Sequence, residues 1–103
     1  MRFIRFAEVQ EEALEKARES RDENGNYYDI TDSMISDIAK YFEKMDLRYD
    51  LNSSSMYSKS LCIEYPSGGP IKADREDAIL RFKCEFLNQV QRIKNEYGIS
   101  LPY

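Results

Sequence analysis

Residues 74–97 constrain this chain most. Ile79, Phe82, Phe86, Val90, Ile93 and Tyr97 recur at spacings of three and four, and Leu80, Cys84 and Leu87 widen the stripe at its middle. That period fits one amphipathic helix about six turns long. A stripe of that length has to be covered, either by the rest of the chain or by another molecule.

Two shorter helices are predicted upstream. Over residues 6–22, Phe6, Val9, Ala13 and Ala17 form a thin stripe of mostly small residues, with Leu14 beside it. The opposite face is rich in Glu, and Glu12 precedes Lys16 by four positions, the favourable order for a helical ion pair. This helix should stop before Asn24-Gly25-Asn26, a strong turn signal. Over residues 31–45, Thr31 is a candidate N-cap, and Asp32 and Ser33 suit a first turn. Ile30 and Ile35 take the positions of a hydrophobic staple, and Ile35, Ile38, Ala39, Phe42 and Met45 make one apolar face.

From Leu47 the period changes to two. Leu47, Tyr49 and Leu51 alternate with Arg48 and Asp50. After Asn52-Ser53-Ser54-Ser55, the set Tyr57, Leu61, Ile63 and Tyr65 alternates with Ser58, Ser60, Cys62 and Glu64, with Lys59 interrupting the apolar face. Two such runs predict an antiparallel hairpin. A lone hairpin is marginal in water, and Phe3–Phe6 is the candidate third strand. The expected fold class is therefore α+β: two N-terminal helices, a small antiparallel β-hairpin or sheet, and a long C-terminal helix packed on it. With 103 residues, a single domain over 1–103 is expected. Gly98 is placed to end the long helix as its C′ residue.

Pro66-Ser67-Gly68-Gly69-Pro70 leads into that helix. A Gly-rich turn before a helix can cradle phosphate, because free N–H groups and the helix dipole favour an anion there. Lys72 and Arg75 are near enough to help, so Gly68, Gly69, Lys72 and Arg75 form a weak candidate site for phosphate or nucleotide. The Gly-Lys-Ser/Thr ending of a P-loop and the three-glycine spacing of a dinucleotide site are both missing. Asp74, Glu76 and Asp77 already occupy the helix start, where acids complement the dipole. Asp74 reads as the N-cap, with Asp77 completing a capping box. A plain strand-to-helix turn is the simpler reading.

The chain has no histidine, so the common Ser–His and Cys–His nucleophiles cannot be built. Its two cysteines, Cys62 and Cys84, fall inside patterned segments and read as buried thiols; they are too few for a zinc site or a disulfide framework. The carboxylate pairs read as caps before they read as Mg²⁺ ligands. No enzyme activity, cofactor or metal is expected.

Net charge is −4, and the acidity sits in the first third. No basic run is present, so direct nucleic-acid binding is not expected. No apolar run approaches the ~20 residues of a membrane helix. The start Met1-Arg2-Phe3-Ile4-Arg5-Phe6 is followed by charges, which suits a cytoplasmic protein, or one of the host cytoplasm if the source is viral.

Two features remain as interaction candidates. Glu8, Glu11, Glu12, Glu15 and Glu19 line the first helix and suit a partner with a basic surface. Its plainer reading is a solvated helix laced with i,i+4 pairs. Eight tyrosines are many for this length, and Tyr27, Tyr28, Tyr41 and Tyr57 are not clearly buried by the helix and strand faces. Tyr27, Tyr28 and Tyr41 are candidate interface anchors, against a role closing the rim of the core. The function expected is a non-enzymatic protein-binding module, in its specific version a small inhibitor or adaptor from a phage or mobile element acting on a host protein. The alternatives are a homo-oligomeric structural component, such as a homodimer through the C-terminal helix, and a phosphate binder using the Gly-Gly turn.

Overall fold

The computed structural model describes residues 3–59, 62–63 and 74–100. Strand β1 (Phe3–Arg5) runs directly into helix α1 (Phe6–Glu19). Helix α2 (Asp32–Met45) follows, then strands β2 (Arg48–Asp50), β3 (Ser55–Tyr57) and β4 (Cys62–Ile63), and last helix α3 (Arg75–Ser100). The strands make an antiparallel sheet in the order β1-β2-β3-β4. The architecture is α+β, with two N-terminal helices, a small antiparallel sheet and a long C-terminal helix.

The third strand is present: β1 pairs Ile4 with Tyr49 on β2. The second run of the predicted hairpin is not one strand but two. Tyr57 faces Cys62 across the β3–β4 pair, so the chain reverses between these two residues, the stretch in which Lys59 breaks the alternation. The Lys59 N–H donates to the Met45 carbonyl (2.9 Å), which ties this reversal to the end of α2. The phase differs too. Met56, not Tyr57, is the fully buried residue of β3. Register decides it: Ile4, Tyr49 and Met56 lie opposite one another on one face of the sheet, and all three are buried. Tyr57 lies on the other face, edge-on to Phe3 with ring centroids 6.0 Å apart.

Helix ends follow local hydrogen bonding. Thr31 caps α2 as predicted, its Oγ1 accepting from the Met34 N–H (3.2 Å). α2 stops at Asp46, which takes φ 47°, a left-handed position that glycine usually fills. α1 stops at Glu19, before the predicted Asp22, because Ser20 turns extended and its Oγ donates to the Lys16 carbonyl (3.0 Å). The predicted Asn24-Gly25-Asn26 turn is built on Asp22, whose Oδ1 accepts from the N–H groups of Asn24 and Asn26 (both 2.9 Å). Gly25 has φ +82°, a conformation only glycine adopts cheaply. Asp50 is buried in the β2–β3 turn, yet both its oxygens are used: Oδ1 accepts from the Asn52 N–H (2.9 Å) and Oδ2 from the Ser53 hydroxyl (2.8 Å).

The three helices meet at four phenylalanines. Phe6 of α1 packs on Phe42 of α2 at 4.0 Å between centroids and on Phe82 of α3 at 5.5 Å, and Phe86 closes the group. Such rings are each worth about 1.5–3 kcal/mol when buried. Ala13 and Ala17 are fully buried on α1, and their small side chains let α1 lie close along α3. The stripe on α3 is covered within the chain: Ile79, Phe82, Phe86, Val90 and Ile93 are all buried.

Four expectations for α3 are corrected. It runs on through Gly98 to Ser100, so Gly98 does not stop it. Leu80 and Cys84 do not widen the buried stripe: both are exposed, because the sheet and the other helices cover only one side of α3. Cys84 is thus a free, exposed thiol, not a buried one; the Cys62 side chain lies outside the described residues. Asp74 caps the helix by accepting from the Asp77 N–H (2.8 Å), but Asp77 does not reach back to complete a box. Its carboxylate instead accepts the hydroxyl of the buried Tyr49 and lies 3.8 Å from Arg81 Nε.

Candidate functional site

α1 presents its acids in two rows, because side chains four apart stand on the same side of a helix. Glu8 and Glu12 form the first row, and both have partners. Glu8 Oε2 accepts from the Arg5 backbone N–H (3.0 Å). Glu12 pairs with Arg75 (2.5 Å), whose guanidinium also donates to the Glu8 carbonyl (3.2 Å). This row therefore clamps the start of α3 to α1. Glu11, Glu15 and Glu19 form the second row. All three are exposed, and among the described residues none makes an ion pair. The row extends about 12 Å along the helix.

Ala7 stands one turn ahead of Glu11 on the same side, and it lines a groove between α1 and α2 of about 300 Å³. The groove is apolar along Phe6, Ala7, Ala39, Phe42 and Leu47, and polar at Arg5, Gln10, Glu43 and Asp46. Its charges are unevenly used. Asp46 Oδ2 accepts from Arg48 Nη2 (2.5 Å) and Nε (3.2 Å). The Arg48 guanidinium, helped by Arg5 and Lys59, holds the Asp46 carboxyl below the usual carboxylate range. Arg5 and Arg48 face each other across β1 and β2, so at this end of the groove the acid Asp46 is already surrounded by cations. Glu43 is exposed and has no ion pair among the described residues.

The predicted anchor tyrosines separate. Tyr27 is 61 % exposed, follows directly from the Asp22 turn, and is braced by Arg21, which donates to its hydroxyl (2.9 Å) and lies 4.7 Å over its ring. Tyr28 and Tyr41 are half-buried against the core, and α3 covers them with cations: Lys94 lies 5.6 Å from the Tyr28 ring and Arg92 5.8 Å from the Tyr41 ring. These two close the rim of the core, and Tyr27 alone of the three stands out into solvent.

Of the phosphate candidates, Gly68, Gly69 and Lys72 lie outside the described residues. Arg75 is engaged with Glu12 and the Glu8 carbonyl, which leaves it poorly placed to receive an anion. Among the described residues no three Cys, Asp or Glu side chains converge as metal ligands would, and no helix is long and apolar enough to cross a membrane.

Sequence patterning did not single out Ala7, Glu43 or Asp46, and it placed Ala39 only in the apolar face of α2. Each has an ordinary helical or turn reading, and only the approach of α1 to α2 at Phe6 and Phe42 makes them neighbours. Nor did it find the polar ladder on α3. Glu85 and Gln89 are buried, joined by Gln89 Nε2 donating to Glu85 Oε1 (2.9 Å), and Arg92 Nε donates on to Gln89 Oε1 (2.8 Å). The i, i+4, i+7 spacing of these residues was the available signal. Compared with known proteins, the chain matches no family model, no curated protein and no solved structure.

Proposed function

We propose that the protein is a non-enzymatic protein-binding module that captures a partner carrying a basic surface. The observation that carries this reading is the second acidic row. Glu11, Glu15 and Glu19 are exposed and without an ion pair among the described residues, although the same helix shows that its acids can be neutralised where the fold needs them. Three like charges four apart repel one another, which is a cost to the helix of a few tenths of a kcal/mol per pair. A basic partner relieves that repulsion and gains steering from it. Exposed Tyr27, just beyond the end of α1, adds an amphipathic ring of the kind that anchors interfaces.

The absence of histidine supports a role without catalysis. Its use as an inhibitor or adaptor, encoded by a phage or another mobile element, is part of the same proposal and has only small size and lack of catalytic motifs behind it. The homo-oligomer alternative has less support, because Ile79, Phe82, Phe86, Val90 and Ile93 of α3 are buried within the chain.

Affinity capture from a lysate of the source organism tests the proposal. Wild-type protein is compared with the Glu11→Lys, Glu15→Lys, Glu19→Lys variant, with captured proteins identified by mass spectrometry. A specific partner lost in the variant is the expected result. An identical set of captured proteins removes the acidic row from the binding face.

A further inference from the structure

The α1–α2 groove is open to solvent at the head of the unpaired acidic row. We infer that the groove and the row together bind one kind of segment: a protein segment with a large apolar side chain for the groove and Lys or Arg side chains for Glu11, Glu15 and Glu43. This inference rests on the protein-binding reading and names the chemistry that its site recognises.

Three observations carry it. First, the groove, at about 300 Å³, is at the small end of ligand clefts and suits one large side chain. Its apolar lining includes Phe6 and Phe42, which belong to the packed phenylalanine group, so the floor is part of the folded core. Second, the charges around it are selective. Asp46 is already satisfied by Arg48, whereas Glu43 on α2 and Glu11 and Glu15 on α1 have no ion pair among the described residues. Cations on the bound segment fit these acids, and phosphate does not, which sets a nucleic-acid backbone aside. Third, the site is too long for a small ligand. From Ala7 in the groove to Glu19 the helix runs about 18 Å, so an occupant that reads both ends is a polypeptide. An amphipathic helix laid along α1 would present its apolar anchor and its cations one turn apart, matching the Ala7–Glu11–Glu15 spacing.

The test uses the full chain and three fluorescein-labelled model peptides rich in Ala and Lys. One carries a single central Phe, one has Ala in place of that Phe, and one has Glu in place of every Lys. Binding is read by fluorescence anisotropy, and backbone amide shifts by NMR locate the site. The Phe peptide is expected to bind about tenfold more tightly than the Ala peptide, with shifts at Ala7, Ala39 and Glu43, and the Glu peptide is expected not to bind. Ala7→Trp fills the groove from an exposed position of α1 and should bring the Phe peptide down to the affinity of the Ala peptide. Glu11→Lys with Glu15→Lys should weaken both Lys peptides together. Equal binding of the Phe and Ala peptides, or no effect of Ala7→Trp, overturns the groove while leaving the acidic row standing. Loss of the charge effect as well would overturn the protein-binding reading itself. Concentration-dependent dimerisation of the chain alone, with shifts at the same three residues, would make the occupant a second copy and also overturn the inference.

Discussion

The two acidic rows of α1 are chemically alike and structurally opposite. Glu8 and Glu12 hold the Arg5 N–H and the Arg75 guanidinium, and through Arg75 they join α1 to the first residue of α3. Glu11, Glu15 and Glu19 stand on the neighbouring side of the same helix and make no ion pair among the described residues. The difference teaches how a structural acid is told from a free one. Helical period says that both rows leave the core, but only the path of a distant element says which row it meets. Arg75 is 63 residues from Glu12 in the chain. Asp77 adds a third case, a half-buried carboxylate that binds the hydroxyl of a buried tyrosine. Substitutions in these settings should rank by how deeply each side chain is committed.

The largest effect is expected beneath the rows. Ala13 is fully buried where α1 lies along α3. Ala13→Leu forces extra volume into that contact and should cost about 1–3 kcal/mol, read from urea denaturation. A change within error would mean that the two helices are not closely packed, and the clamp between Glu12 and Arg75 would then lose its structural meaning.

Tyr49→Phe comes next, at about 1.5 kcal/mol, because a hydrogen bond to a carboxylate is lost at the buried middle of β2. It also has a pH signature. Burial first, and then the bond to Asp77, pushes the Tyr49 phenol up. The folded state therefore favours the protonated phenol. Its stabilisation is complete below the unfolded value of about 10 and is lost as pH rises through the higher folded value. Wild type should lose stability from about pH 10 upward more steeply than Tyr49→Phe does. Parallel pH profiles for the two proteins would sink this assignment.

Glu12→Gln should cost less again, about 1 kcal/mol at most, since both partners are roughly half exposed and water screens the pair. Added salt should shrink the difference between wild type and variant. A larger, salt-insensitive loss would show that Glu12 does more than pair with Arg75.

Much of this fold is legible in the sequence. The long stripe of α3, the Thr31 cap, the Asp22–Asn26 turn and the extra strand at Phe3 all follow from local period and turn chemistry. What was not legible depends on partners far along the chain. The split of the second β run at Lys59 is marked by a broken alternation, but the burial of Met56 over Tyr57 is set by register against Tyr49. Leu80 and Cys84 match an apolar period, yet both are exposed on α3. Tyr28 and Tyr41 look like free anchors until Lys94 and Arg92 are placed over their rings. The candidate site divides the same way. Its acidic row is read directly from four-residue spacing, whereas its groove exists only where α1 meets α2.

The smallest effect is the most informative one. Replacing Glu11, Glu15 and Glu19 together by Gln removes three exposed charges that have no ion pair among the described residues. Surface changes of this kind usually stay within about 0.5 kcal/mol. Here the sign should be favourable, because two like-charged i,i+4 pairs vanish, each worth about 0.2–0.5 kcal/mol. The gain should fade as salt rises, since salt already screens the repulsion in wild type. Stability and binding would then move in opposite directions, with a slightly firmer helix and a weaker hold on a basic partner. A stability loss comparable to that of Glu12→Gln would place the second row in the same structural class as the first, and the contrast between them would end there.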